Sequence, residues 1–297
     1  MLTPKLVILT NDWVWKNPFY GLIIRYAEFA PITDGIENNL EYLKDIVNRG
    51  YSVVVFPEGT RSEDCSILRF HRGAFYIAQK LNLDIVPVFI HGVGHVLPKN
   101  DFMLREGSIY VEVEKRISMV NDNNNEDDFK QKTKSIHQYY VNHYKEICQE
   151  KEKIDYFIPY IRYKYMYKGR EVESNWKKIL KQKDVLKSYI DKDYSNISKV
   201  LIINSGQGEF AWLFALVNKE IEVFAFSNNE EEYLLANNCS NIPNNLHFSY
   251  LDNIEKDVYD EVKGFDICFA LLDKELDINK YEKYNPIKVN LLWRKNV

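Results

Sequence analysis

The chain has 297 residues, long for one core and comfortable for two. Its 45% hydrophobic and 28% charged composition is that of a globular protein, neither disordered nor collagen-like. A formal net charge of −4 argues against nucleic acid as the main partner, since the sequence-independent part of that affinity needs an excess of Lys and Arg. Four scattered cysteines, Cys65, Cys148, Cys239 and Cys268, form no C-x-x-C pair. They read as reduced thiols, giving neither a zinc site nor a disulfide framework, and no metal ligand set is expected. No run reaches the ~18–20 apolar residues that span a bilayer. Residues 1–9 are too short for a signal peptide. The expectation is a cytoplasmic protein, with any membrane contact peripheral on the inner face.

In chain order, Lys5–Thr10 reads as a strand. Residues 37–48 carry Leu40, Leu43, Ile46 and Val47 at helical spacing and stop near Gly50. Tyr51–Phe56 is a strand, Gly73–Leu81 a helix, Ile85–Ile90 a strand and Ser108–Val113 an alternating strand. Such alternation predicts an α/β architecture. The polar run Asn121–Asp128 is a turn-prone break, followed by a helix to about Lys151. Between 154 and 190, Tyr156, Tyr160, Tyr163, Tyr165 and Tyr167 interleave with Arg162, Lys164, Lys168 and Arg170. A helix with Val172, Trp176, Ile179 and Leu180 on one face comes next. Two readings stand for this stretch: a headgroup-binding surface on an anionic membrane, or a connector whose tyrosines pack on the first domain. From Lys199 a βαβαβ rhythm begins with the buried strand Val200–Ile203, Asn204-Ser205-Gly206-Gln207-Gly208, and a helix through Val217. The expected division is 1–120, a helical connector at 121–194, and 195–297.

The densest chemistry is at Phe56-Pro57-Glu58-Gly59-Thr60-Arg61. A buried strand runs into a sharp turn at Pro57 and Gly59, which places a carboxylate, a hydroxyl and a guanidinium just beyond the strand end. That is where ligands sit in open α/β sheets. Arg61 offers a planar fork that matches a phosphate, and Thr60 and loop amides can add donors. The plain alternative is a solvated turn with a Glu58–Arg61 surface ion pair.

Phe56 to Ser62, together with Phe70-His71-Arg72-Gly73-Ala74-Phe75 and Ile85–Ile90, resembles the glycerol-phosphate/lysophosphatidic acid acyltransferase superfamily over roughly residues 1–120. The resemblance implies transfer of a fatty acyl group from acyl-CoA or acyl carrier protein to a lysophospholipid or glycerophosphate-like acceptor, as in phospholipid biosynthesis. It implies acceptor binding through Glu58, Gly59, Thr60 and Arg61, with no tightly bound cofactor. The family's general base is a histidine four residues ahead of an aspartate, upstream of this loop. Here no histidine precedes His71, so no catalytic residue is assigned, and the chain is expected to be a truncated, inactive form. The block at Phe29–Gly35 also lacks the family's arginine; Arg25 is the nearby substitute. His247 and Asp252 have the motif's spacing but lie far downstream and are expected to play no part. His91 and His95 read as loop or core residues.

Residues 195–297 resemble a class I S-adenosylmethionine-dependent methyltransferase, which implies a second, Rossmann-like α/β domain. That resemblance places S-adenosylmethionine at Asn204, Gly206 and Gly208. The family's acids are replaced by Asn204 and Ser227, which removes the charge-assisted bonds to the cofactor. Two alternatives to acyl transfer therefore stand: a methyltransferase, or a non-catalytic lipid- or partner-binding pseudoenzyme.

Overall fold

The computed structural model describes residues 5–11, 15–16, 18, 21–26, 29–32, 39–99, 103–119, 126–250, 265–271 and 287–289. The architecture is α/β, and the chain divides into two compact units: Met1–Met103 with Ile109–Glu146, and Leu104–Ser108 with Ile147–Val297.

In the first unit, β1 (Lys5–Asn11), β2 (Phe29–Ile32) and β3 (Tyr51–Val54) form a parallel sheet in the order β2-β1-β3. The helix α1 (Gly21–Tyr26) lies between β1 and β2 in the chain. Along β1, Val7 and Leu9 are buried while the alternate positions Leu6, Ile8 and Thr10 are exposed or partly exposed, the period-two alternation of a sheet with one covered face. The cover includes α2 (Leu40–Asn48), whose Leu43 and Ile46 join Val7, Leu9, Ala30 and Ile77 in one cluster. Ile77 comes from α3 (Gly73–Lys80). A separate antiparallel ribbon pairs β4 (Val88–His91) with β5 (Tyr110–Val113). Between β4 and β5 the short α4 (Val93–Val96) begins after Gly92, which has φ +92°. The strand expected over Ile85–Ile90 is shorter, because Pro87 has no N–H to give the ladder; Ile85 makes only an isolated bridge to Ile117. A second cluster, Phe70, Phe75, Ala78, Met119 and Ile136, includes a side chain of the long helix α5 (Glu126–Lys151).

In the second unit, β6 (Lys199–Ile203), β7 (Glu222–Ser227), β8 (Leu246–Tyr250), β9 (Ile267–Leu271) and β10 (Ile287–Val289) form a parallel sheet in the order β10-β9-β6-β7-β8. Chain order reverses at β6, so a switch point lies between the ends of β6 and β9. The helix α9 (Glu209–Val217) is apolar nearly all round and buried from Glu209 to Leu216, as a core helix should be. The helix α10 (Glu230–Asn237) is capped by Asn229, whose side chain accepts the Glu232 amide.

The stretch expected as a connector belongs to this core. The helices α6 (Ile154–Tyr165), α7 (Arg170–Leu180) and α8 (Lys183–Ile190) contribute Phe157, Ile161, Tyr165, Trp176, Ile179, Leu186 and Ile190 to one cluster with Val200, Ile202, Phe214 and Phe269. The boundaries thus differ from 1–120, 121–194 and 195–297, because these helices turn their apolar stripes onto the sheet layer. At roughly 1.5–3 kcal/mol per fully buried large side chain, that contact outweighs any local signal of a linker. Among the described residues, no helix is long and apolar enough to cross a membrane.

Candidate functional site

The turn after β3 is built from three backbone features. Gly59 N–H donates to the Phe56 carbonyl at 3.1 Å, and His71 N–H donates to the Pro57 carbonyl at 2.7 Å. Gly59 has φ +69°, and a Cβ there would stand 3.1 Å from the His71 ring. Glycine is therefore favoured by the left-handed backbone, and a larger residue would also have to displace the exposed imidazole beside it.

Glu58 does not pair with Arg61. Its Oε2 accepts the Leu68 N–H at 2.7 Å, stapling the loop to the segment that leads into α3. The carboxylate is half-buried, and burial pushes its pKa up against the opposing pull of the Leu68 amide and the charge of His137. His137 in turn holds the Leu68 carbonyl at 3.1 Å and meets the Phe70 ring edge-on with centroids 4.9 Å apart. Both ends of the Leu68 peptide are thereby fixed.

Arg61 is exposed. Its Nη1 donates to the carbonyls of Leu97 (2.8 Å) and Pro98 (3.3 Å), just past the end of α4, where helix carbonyls lack internal partners. Among the described residues, nothing engages Nε or Nη2, so one edge of the fork is held and the other is open. Thr60 and Gly59 are exposed beside it, as is Phe56 at 58%. Glu63 is drawn aside by Lys99 at 3.6 Å. The arrangement can hold an anion: an oriented guanidinium, adjacent hydroxyl and amides, and an apolar ring at the rim.

The structure brings together Glu58, Gly59, Thr60 and Arg61, as neighbours in sequence must be, but gives them different work. Two residues that local reasoning left without a role are His71, against Gly59, and His137, behind Leu68. His71 carried a signal in its block spacing; His137 carried none, being 69 residues from Leu68. The side chain of Arg25, the Asp34 and Gly35 positions and Asp252 lie outside the described residues. His247 pairs with Glu222 at 2.7 Å and lies over the Phe224 ring. His91 is buried in β4, and His95 lies in α4.

In the second unit, Asn204, Gly206 and Gly208 sit in the β6–α9 loop at the switch point, with φ of +56°, +62° and +87°. The loop is closed by its own unit. Asn204 Nδ2 donates to the Leu271 carbonyl at 2.9 Å, bridging the ends of β6 and β9. The Tyr165 hydroxyl donates to the Gln207 carbonyl. A Cβ on Gly208 would fall 2.8 Å from the Phe248 ring. Ser227, in the place of a ribose-gripping acid, turns its hydroxyl to the backbone of Asn229.

Comparison with known proteins bears on the N-terminal segment. The model of the family described as Acyltransferase matches residues 1–91. A 1-acyl-sn-glycerol-3-phosphate acyltransferase of Chlamydomonas reinhardtii is 37% identical over 79 residues, covering 26% of this chain and 24% of its own. The solved 1-acyl-sn-glycerophosphate acyltransferase of Thermotoga maritima superposes with a TM-score of 0.38 at 20% identity, over 48% of this chain and 66% of that one. A plantazolicin methyltransferase in complex with SAH gives a TM-score of 0.25 at 12% identity, over 43% and 48%. Likenesses of that depth assign neither a residue nor an activity. The chain spans between about a quarter and a half of the length of the curated relatives it matches. The N-terminal segment thus resembles the lysophosphatidic acid acyltransferase superfamily.

Proposed function

We propose that the first unit is an acyltransferase-type acceptor site that binds the phosphate of a lysophospholipid or glycerophosphate-like molecule through Arg61, Thr60 and the amides of the 58–61 loop. One observation carries this reading. The Arg61 guanidinium is exposed and tethered at Nη1 by two carbonyls, leaving the other edge for a bidentate anion. Glu58 acts from behind, as the acceptor that holds the loop's shape, and exposed Phe56 offers apolar contact to an acyl chain. In acyl transfer from acyl-CoA or acyl carrier protein, an acceptor hydroxyl attacks the thioester carbonyl, the thiol leaves, and the hydroxyl proton goes to a base. Residues 1–57 contain no histidine, so the proposal is binding by this chain without appreciable turnover; positioned general bases are worth roughly 10²–10⁴ in rate. The test pairs an acyl-CoA:lysophosphatidic acid turnover assay with equilibrium binding of lysophosphatidic acid. Binding without turnover supports the reading. Turnover abolished by His71→Ala would make the imidazole beside Gly59 the base, and absence of binding would sink the acceptor site.

The second unit's strand order and glycine loop support a Rossmann-like origin. Its loop contacts favour a role without S-adenosylmethionine: the Asn204–Leu271 bridge and the Phe248 ring account for Asn204 and Gly208, and the Tyr165 hydroxyl holds the Gln207 carbonyl between them. We infer a structural or partner-docking module. Isothermal titration with S-adenosylmethionine is expected to give no saturable heat, and saturable binding lost in Gly206→Asp would reverse the inference.

A further inference from the structure

The strand β5 has its polarity inverted. Val111 and Val113 are 55% and 65% exposed, while Glu112 and Glu114, at the alternate positions, are half-buried. Those two carboxylates meet His143 of α5. The imidazole Nε2 lies 2.9 Å from Glu112 Oε1 and 3.8 Å from Glu114 Oε1, and Nδ1 lies 3.3 Å from Glu146 Oε2. The remaining Glu112 oxygen accepts the Tyr110 hydroxyl at 2.9 Å. The ring is gripped by Tyr139, stacked at 13° and 5.7 Å, and by Phe89 at 4.8 Å. Turning carboxylates inward and valines outward costs free energy unless the charge is met. Three carboxylates around one imidazole leave an excess of negative charge even when the ring is protonated.

We propose that Glu112, Glu114 and His143 form a divalent transition-metal site in the first unit, with Zn²⁺ as the representative ion. One nitrogen and two carboxylate oxygens, all within 4.8 Å of one another, supply three ligands and leave a position for water. Zinc takes nitrogen and oxygen at about 2.0–2.2 Å, so neighbouring ligand atoms end roughly 3.0–3.6 Å apart. The Glu112–His143 pair already stands near that spacing, and the Glu114 oxygen, 3.8 Å from Nε2, lies within 4.8 Å of both. Glu146 is the outer carboxylate. By accepting from Nδ1–H it fixes the tautomer that aims the Nε2 lone pair at the ion, as carboxylates behind metal-bound histidines do. Local sequence spacing conceals the set, since Glu112 and His143 are 31 residues apart. Being independent of the acceptor loop, the site stands or falls separately from the proposed function.

The experiment is a titration of the chelator-treated full chain with Zn²⁺ by calorimetry and with Co²⁺ by visible absorption. One equivalent is expected to bind, with ligand-field bands in the cobalt form. Binding should be lost in His143→Ala and in the charge-only double variant Glu112→Gln/Glu114→Gln, and weakened about 10–100-fold in Glu146→Gln. The double variant keeps the side-chain shapes, so circular dichroism identical to wild type confirms that its loss is one of ligands. No binding by the wild-type chain, or binding that survives the double variant, overturns the site.

Discussion

Replacing Glu58 by Ala and by Gln separates its shape from its charge. In the structure Glu58 Oε2 accepts the Leu68 N–H at 2.7 Å in a part-buried setting. Alanine leaves that amide without its acceptor, a loss of about 1–3 kcal/mol for a buried group. Glutamine keeps a carbonyl oxygen in the same place and removes a carboxylate that burial has raised above its ordinary 4.5. A raised carboxyl binds more protons folded than unfolded, so the wild type loses stability as pH rises from about 4.5 through the raised value, and Glu58→Gln should lack that slope. The readout is hydrogen exchange of the peptide holding Leu68, which reports local opening rather than whole-chain unfolding. At neutral pH, Glu58→Ala should speed exchange by about 5- to 150-fold, the equivalent of 1–3 kcal/mol, while Glu58→Gln should match or slow the wild type. Equal acceleration in both variants would refute the reasoning, because the charge and not the acceptor would then hold the loop.

Gly208→Ala should destabilise the second unit by about 2–4 kcal/mol, combining a left-handed backbone with a methyl driven into the Phe248 ring. An unchanged urea midpoint followed by tryptophan fluorescence would contradict that packing. Asp266 accepts the Ser198 and Lys199 amides and the Ser198 hydroxyl through Oδ2, and these bonds lower its carboxyl below 3.8. Its contribution is present above pH 3.8 and lost as pH falls through the folded value, so Asp266→Ala should differ from wild type at neutral pH and converge with it in acid. A difference that persists undiminished into strong acid would assign the effect to packing.

The α/β alternation was legible because it rests on local periodicity: the buried run Val200–Ile203 and the helix ending at Val217 were read near their observed limits. Pro87 shortened β4 by a rule that sequence reading could have applied. The tyrosine- and lysine-rich stretch was not legible as core, because Phe157, Tyr165 and Trp176 find their partners on strands that begin dozens of residues later. At the 58–61 loop, turn signals located Gly59 at the left-handed position, and the residue types drew attention to Arg61. The Leu97 and Pro98 tether and the Leu68 staple could not be seen, since each depends on which distant backbone folds beside the loop.

The phosphate role of Arg61 is tested most directly by a binding cycle. Lysophosphatidic acid and the monoacylglycerol of the same chain length are each titrated into the wild type and Arg61→Ala, below the micelle concentration. The account predicts that the wild type prefers the phosphorylated ligand and that Arg61→Ala loses about tenfold to a hundredfold affinity for it, the worth of a charge-assisted hydrogen bond. Monoacylglycerol binding should be unchanged. Lysophosphatidic acid bound equally by both proteins would contradict the account and leave Arg61 as a structural cap on the Leu97 and Pro98 carbonyls.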